Sequence, residues 1–214
     1  MKKSIASLAV LAVLTGVPAI GFSQMPSLGG LGSKLTGSSN GDLVGQQGNL
    51  VKSYVAGGKD VLSSQAKLLD ALGLKDQAAT AQATAASLGE GATKDNLAAA
   101  DEAQSANSAA ISAALKTQSG TLDAQSKQTY TQGLVLLASG LVKYTGMKQD
   151  VAGFSKGLAG PAALQAGSKL QSGAYIVKTL PDSTSTTFST LNSAVSFARS
   201  HGIEVPADAT AALK

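Results

Sequence analysis

The segment from Thr129 to Val151 constrains the fold most, because no other part of the chain beyond its first residues stays apolar for so long. Its apolar residues recur at steps of three and four, with Lys148 as the one interruption, and this is the spacing of one face of an α-helix. The pattern predicts a buried helix from about Leu122 toward Leu158, which glycines near its end could bend or divide. The stripe consists of Tyr130, Leu134, Leu137, Leu141, Tyr144 and Val151.

Glycines form a second stripe on the same segment. Gly133 and Gly140 are seven residues apart, and Gly146, Gly153 and Gly160 continue the series in a shifted register. A glycine inside a helix costs about 1 kcal/mol relative to alanine, so packing, or bending around another group, has to offset that cost. The stripe therefore predicts close approach by another backbone or by a ligand.

The first residues have the pattern of a secretory signal peptide. Lys2 and Lys3 precede an apolar region from Ile5 to Val17, and small residues follow it. This apolar region is shorter than the ~20 residues that a membrane-spanning helix needs, so we expect cleavage between Ser23 and Gln24 rather than a membrane anchor. The predicted location is periplasmic or secreted, with no transmembrane segment after cleavage.

Composition excludes several classes of site. The chain has no cysteine and one histidine, and it lacks the Cys/His and Glu-x-x-His spacings of haem, zinc and di-iron proteins. No cofactor, metal or disulfide is predicted. Loss of Lys2 and Lys3 leaves 15 of the 17 basic residues against 13 acidic ones, a net charge of about +2. With a single arginine, Arg199, and scattered lysines, nucleic acid is not an expected partner.

The sequence after the signal peptide divides into two parts. Residues 24–41 are rich in glycine and serine and are expected to form a flexible N-terminal arm. Residues 42–214 are expected to form a single domain whose first helix runs from an N-cap at Asp42, with Asn40 as the alternative cap, to about Leu72. Gly73 followed by Leu74 predicts a Schellman ending for that helix. Its predicted buried stripe is Val51, Tyr54, Gly58, Val61, Gln65, Leu68 and Leu72.

Residues that typically start or end helices predict four more helices further along the chain. Two alanine-rich helices are expected at about 76–88 and 94–117, the second capped near Thr93. Gly160 and Pro161 start another helix, and Pro181 and Asp182 are expected to end it. A last helix runs from about Ser183 to Ser200 and is expected to end at Gly202 followed by Ile203, the same signal as at Gly73 and Leu74. The predicted apolar positions are Leu164, Leu170, Ala174, Val177 and Leu180, then Phe188, Leu191, Val195, Phe197 and Ala198.

No apolar and polar alternation is long enough to predict a sheet. The fold class is therefore all-α, a mainly antiparallel bundle of five to six helices with packing rich in glycine and alanine.

Three groups of reactive side chains have simple structural interpretations. Ser64 and Lys67 have the Ser-x-x-Lys spacing of penicillin-recognising enzymes but lack the companion motifs, so a solvated helix face is expected. Asp101 and Glu102 diverge by about 100° on a helix and are expected to face water. His201 is expected to cap a helix C-terminus. No catalytic residue is predicted, and the chain is not expected to be an enzyme.

A ligand site is predicted where tyrosines accompany glycines on the two main apolar stripes, since glycine leaves room inside a bundle and tyrosine supplies both an apolar body and a hydroxyl. An ordinary core is the alternative interpretation. The predicted ligand-binding residues are Tyr54, Gly58, Tyr130, Gly133, Leu137, Gly140, Tyr144 and Tyr175.

Two functions fit these features. The first is an exported, non-enzymatic protein of the bacterial envelope that binds a hydrophobic, lipid-like small molecule and takes part in its transport. The second is a structural or interaction protein of the envelope, whose small-residue helix faces assemble with another envelope protein or with itself.

Overall fold

The computed structural model describes residues 43–214, and in that range every regular element is a helix. The predicted signal peptide, the N-terminal arm and the cap at Asp42 lie outside the described residues. Within the described residues, six helices of 11 residues or more form the bundle, and two short helices and a 3₁₀ turn at Gly167–Leu170 accompany them. The helices are α1 Leu43–Ala71, α2 Lys75–Ser87, α3 Lys94–Thr117, α4 Ala124–Gly146, α5 Lys148–Leu158, α6 Pro161–Ala166, α7 Gln171–Ser200 and α8 Ala207–Ala211.

Helices α1 and α4 form an antiparallel pair at the centre of the bundle. Lys67 near the end of α1 bonds to Gln132 near the start of α4, whereas Asp60, earlier in α1, bonds to Ser139 and Lys143, later in α4. Both predicted apolar stripes face the interior of the bundle. Every residue of the α1 stripe is buried, as are the α4 stripe residues Tyr130, Leu134, Leu137, Leu141 and Tyr144.

Helices α3 and α7 run in the same direction as α1. Tyr54 bonds to Asp101, and Gln65, further along α1, bonds to Ser108, further along α3. Because α3 and α7 lie side by side and parallel, residues distant in sequence face each other along their length. The pairs that align α7 with α1 are Gln47 with Gly173 and Tyr54 with Ser183.

The predicted helix ends at Gly73 and Gly202 are confirmed. Both glycines have positive φ, 82° and 61°, a backbone region that disfavours residues with a Cβ. The Leu74 and Ile203 amides each bond to a carbonyl five residues earlier, the hydrogen bond of a Schellman ending. Thr93 caps α3 as predicted, forming a reciprocal capping box with Asn96.

The predicted helix from 122 to 158 is divided at Met147. Asp123 caps its first half through a bond from the Ser126 amide. At Met147 the amide bonds to the Tyr144 carbonyl, which is three residues earlier instead of four. The α-helical hydrogen-bond pattern is interrupted there, and α5 begins as a new helix. Val151 is half-buried and Lys148 is exposed.

The predicted stop at Pro181 is wrong, because α7 continues through Pro181 as one helix of 30 residues. Proline cannot donate the hydrogen bond to the carbonyl four residues earlier and costs about 3 kcal/mol inside a helix. Buried side chains on both sides of it, Ile176 and Leu180 before and Leu191 and Val195 after, anchor the two halves to the same core and offset that cost.

The apolar positions predicted for the last helices are partly wrong. Leu164 is 87% exposed and Phe188 is 43% exposed, Ala174 is exposed and Val177 is half-buried. In the continuous helix α7, Gly173, Ile176, Thr187 and Thr190 are also buried. The positions that are buried as predicted are Leu170, Leu180, Leu191, Val195, Phe197 and Ala198.

None of the helices in residues 43–214 combines the length and the apolar character needed to cross a membrane.

Candidate functional site

Seven of the eight predicted ligand-binding residues are buried in the bundle, and the eighth, Tyr175, is half-buried at a cleft. Tyr130 donates its hydroxyl hydrogen to the Ala194 carbonyl of α7, with the oxygen atoms 3.0 Å apart. Tyr54 and Tyr144 stack with ring centroids 5.2 Å apart. The seven buried residues are Tyr54, Gly58, Tyr130, Gly133, Leu137, Gly140 and Tyr144.

Neighbouring atoms of the bundle fill the space beside the predicted glycines. A Cβ placed on Gly140 would lie 2.6 Å from Val61 Cγ2 and 3.1 Å from the Gly57 carbonyl oxygen, and one on Gly133 would lie 2.9 Å from the Leu68 side chain. The Tyr144 hydroxyl would lie 3.3 Å from a Cβ on Gly58. The glycines therefore let α1 and α4 approach closely. Of the two predicted reasons for the glycine stripe, another backbone or a ligand, this arrangement corresponds to the backbone.

Ser64 and Lys67 have separate partners. Ser64 is buried and donates to the Gly133 carbonyl at 2.7 Å, whereas Lys67 bonds to the Gln132 side chain. The expected solvated face is therefore wrong for Ser64, whose hydroxyl links α1 to α4.

Asp101 is the polar residue whose expected position is most clearly wrong. It turns inward, while the adjacent Glu102 is exposed. The Tyr54 hydroxyl lies 2.7 and 2.8 Å from the two carboxylate oxygens, and the Tyr175 hydroxyl donates to one of them at 2.8 Å. One carboxylate on α3 thus holds α1 and α7 together.

Further hydrogen bonds extend this cluster. The Tyr54 hydroxyl lies 2.9 Å from the Ser183 hydroxyl, and the Tyr144 hydroxyl donates to the Gln104 side-chain oxygen at 3.2 Å. The Gln65 amide nitrogen donates to the Gln104 carbonyl and to the Ser108 hydroxyl. No buried side-chain nitrogen or oxygen in residues 43–214 lacks a hydrogen-bond partner. The buried polar side chains of this cluster are therefore all hydrogen-bonded.

Burial determines the protonation behaviour of the cluster. Removal from water raises the pKa of the Asp101 carboxyl, although the hydrogen bonds from Tyr54 and Tyr175 lower it in part. Burial also raises the pKa of Tyr54, Tyr144 and Tyr175 above the usual value for tyrosine, and the charge of Asp101 adds to this in each case. All three hydroxyls therefore remain protonated donors at neutral pH.

A cleft between α3 and α7 leads from the surface to Asp101. Its volume is about 160 Å³, and a second cleft of about 320 Å³ continues it toward Leu115. The two share Ser105, Ser108 and Thr186 in their walls. The inner part is lined by Gln65, Asp101, Gln104, Ser105, Ser108, Tyr175, Thr179, Asp182, Ser183, Thr186 and Thr187.

The sequence does contain a signal for this cleft. Leu97, Asp101, Gln104, Ser108 and Ile111 follow each other at steps of four and three, so they share one face of α3. Two large apolar residues at the ends of such a series indicate that the polar residues between them are also turned toward the core. The spacing of apolar residues alone does not reveal these inward-facing polar residues.

His201 lies at the C-terminus of α7 as predicted. Its Nδ1 is 3.0 Å from the Phe197 carbonyl oxygen, and its ring stacks on the Phe197 ring with centroids 3.8 Å apart. These contacts give the imidazole a capping role.

Comparison with known proteins finds no family model, no curated protein and no solved structure that matches this chain. In residues 43–214 no three His, Cys, Asp or Glu side chains are grouped so that they could hold a metal ion. Inference about function therefore rests on the geometry of the cleft.

Proposed function

We propose that this chain is an exported, non-enzymatic binding protein of the bacterial envelope and that it holds its ligand in the cleft between α3 and α7. The observation that supports this most is the position of Asp101, a carboxylate at the inner end of a cleft lined by hydroxyls and amides. Convergent polar groups in a concave site are typical of ligand recognition. Export is supported by the signal-peptide pattern of the first 23 residues.

A polar ligand fits this site better than the lipid-like one expected from the sequence. The hydrophobic prediction depended on room beside the stripe glycines, and the side chains of Val61 and Leu68 occupy that room. A lipid there would have to separate α1 from α4 and expose their shared core. Uptake of a hydrophobic ligand stays a prediction, and it carries this additional cost in free energy.

The first experiment is native mass spectrometry of the protein purified gently from the cells that make it. We expect a discrete small polar adduct. The Ser105→Tyr variant should lose it, because Ser105 is exposed and lines both parts of the cleft. Ala106→Tyr is the matched control, since Ala106 is a small, exposed residue next to Ser105 on the same helix and lies outside both cleft linings.

Three outcomes are informative. Loss of the adduct in Ser105→Tyr alone supports the cleft as the binding site. An adduct retained equally by both variants contradicts it. An extractable lipid that survives Ser105→Tyr but is lost when Gly140 is enlarged in a still-folded protein would favour the hydrophobic ligand instead.

Assembly with a partner is a second candidate function, and one observation favours it. Val135 and Val142 are 39% and 57% exposed, and their seven-residue spacing places them on the same face of α4. Sedimentation equilibrium of the mature protein tests whether this face joins two copies of the chain. A dimer that dissociates in Val142→Lys would support this candidate, and a monomer would leave only a different protein as the partner.

A further inference from the structure

We infer that the ligand of the α3–α7 cleft is a small organic cation carrying a primary ammonium group. This rests on the proposed function and adds the chemical class of the ligand. Three independent features of the cleft support it, namely its charge, the direction of its hydrogen bonds and its size.

The described residues that line the cleft carry negative charge and no positive charge. Asp101 lies at its inner end and Asp182 on its wall, and none of the lining residues between 43 and 214 is a lysine, arginine or histidine. The ion pairs found in residues 43–214 join Lys52 to Glu90 and Lys143 to Asp60, so neither carboxylate of the cleft takes part in one. A bound cation would supply the missing opposite charge.

Three hydroxyls of α7 that line the cleft use their hydrogens within the protein. Thr179 donates to the Tyr175 carbonyl and Thr187 to the Ser183 carbonyl, each four residues earlier on α7. The single hydrogen of Ser183 is used either on the Thr179 carbonyl or on the Tyr54 hydroxyl. What these three side chains can offer a ligand is therefore lone pairs, which accept hydrogen bonds.

The amide groups of the cleft share part of this bias. The Gln65 side-chain nitrogen donates to the Gln104 carbonyl and to Ser108, and the Gln104 side-chain nitrogen lies 3.5 Å from an Asp101 oxygen. A ligand that brings its own donors therefore finds lone pairs on both carboxylates and on these three hydroxyls. An ammonium group has three donors and no acceptor, which matches this set of acceptors.

An ammonium ion fits better than a metal ion. A divalent metal would need several oxygen ligands free at one point, and the Asp101 oxygens already accept bonds from Tyr54 and Tyr175. The volume of about 160 Å³ at the inner end lies below the range of about 300–1,000 Å³ typical of drug-sized ligands. The ligand is therefore a small amine, with any longer part extending toward Leu115.

The test uses three probes of equal chain length and different charge. Isothermal titration calorimetry of the full mature protein is performed with 1,4-diaminobutane, with 1,4-butanediol and with succinate. We expect measurable binding of the diamine and at least about tenfold weaker binding of the diol, since a charged hydrogen bond is worth about tenfold or more in affinity. Succinate should not bind.

Charge-neutral variants locate the site. Asp101→Asn should weaken diamine binding by about tenfold or more, and the exposed Asp182→Asn by about threefold, with the effect fading in high salt. Glu102→Gln is the matched control, because it removes the same charge one residue from Asp101 on the exposed side of α3. Circular dichroism verifies the fold of each variant, and Asp182→Asn keeps the test decisive if Asp101→Asn unfolds.

Equal affinity for diamine and diol, or equal losses in Asp182→Asn and Glu102→Gln, would overturn the assignment of a cation. The proposed function would survive that result if a different adduct is still displaced by Ser105→Tyr. If Ser105→Tyr displaces nothing while the diamine binding responds to Asp182→Asn, the cation site stands and the cleft is not where the cellular ligand is held.

Discussion

The α1–α4 and α3–α7 interfaces use small residues for opposite purposes. Between α1 and α4, Gly57, Gly133 and Gly140 let side chains of one helix reach the backbone of the other, so no space remains. Between α3 and α7, serine and threonine replace glycine, and a cleft runs along the contact. Hydroxyl side chains hold two helices apart and make the gap polar, whereas glycine closes it.

The largest expected effect comes from enlarging Gly140. Gly140→Leu should unfold the bundle, and Gly140→Ala should lower the free energy of unfolding by about 1–3 kcal/mol, because even a Cβ would overlap Val61 and approach the Gly57 carbonyl. Urea unfolding followed by circular dichroism measures both.

Gly153→Ala is the control, since in residues 43–214 no atom beyond its chain neighbours and the adjacent backbone of its own helix lies within 4 Å of the added Cβ. It should raise the free energy of unfolding by about 0.5–1 kcal/mol, the helix preference of alanine over glycine. Equal destabilisation by Gly140→Ala and Gly153→Ala would show that close approach of α1 and α4 does not matter.

The next effect tests the polar cluster that joins the two interfaces. Tyr54→Phe removes a donor from the half-buried Asp101 carboxylate and should cost about 1–3 kcal/mol of unfolding free energy. Tyr130→Phe removes one bond, to the Ala194 carbonyl, and should cost about 1 kcal/mol. A loss in Tyr54→Phe no larger than in Tyr130→Phe would argue against a special role of the carboxylate.

Pro181→Ala should stabilise the protein by about 1–2 kcal/mol. Alanine restores a helical amide and has the better helix propensity, and the greater freedom of the unfolded chain offsets part of the gain. Pro181 is exposed, so the substitution removes no core contact. Thermal unfolding at neutral pH measures the change, and a lower melting temperature would mean that the proline is needed for the shape of α7.

Asp101 should also make the free energy of unfolding of the protein depend on pH. Since its folded pKa is raised, its contribution is fully present below about pH 4, the usual aspartate pKa, and is lost as the pH rises through the folded value. The difference in unfolding free energy between wild type and Asp101→Asn should therefore fall as the pH rises from about 4. Asp123→Asn should show the opposite slope, because the bond from the Ser126 amide lowers the pKa of Asp123.

The smallest effect is expected in the second cleft, the one that continues toward Leu115. Ser189→Ala removes an exposed hydroxyl and should change the free energy of unfolding by less than about 0.5 kcal/mol. A larger loss, measured by the same urea unfolding, would mean that the second cleft is part of the structural core rather than a free surface.

Local patterns were sufficient to predict much of the fold. Helix faces in α1 and α4 follow from residue spacing, and the ends at Gly73, Thr93 and Gly202 follow from the hydrogen bonds that those residues allow. Pro181 was mispredicted because its local preference is outweighed by buried neighbours on either side, and packing of that kind is not encoded within the segment itself.

The candidate site was harder to predict for a different reason. Asp101 and Glu102 look alike as neighbours, and only their register with Leu97 and Ile111 distinguishes the half-buried, inward-facing carboxylate from the exposed one. The cleft depends on α3 and α7 lying parallel, and no repeated pattern links those two segments in the sequence. Tyr175 was identified as a site residue, although its partner was not.

The continuous path of α7 through Pro181 has a consequence for motion. The helix lacks one backbone hydrogen bond at the position where Asp182 and Ser183 line the cleft, and a missing bond of this kind is where helices bend most easily. Bending there would change the width of the cleft while leaving the glycine contacts of α1 and α4 intact. Amide hydrogen exchange around residue 181 should therefore be faster than in the centre of α1, and a ligand that spans the cleft should slow it.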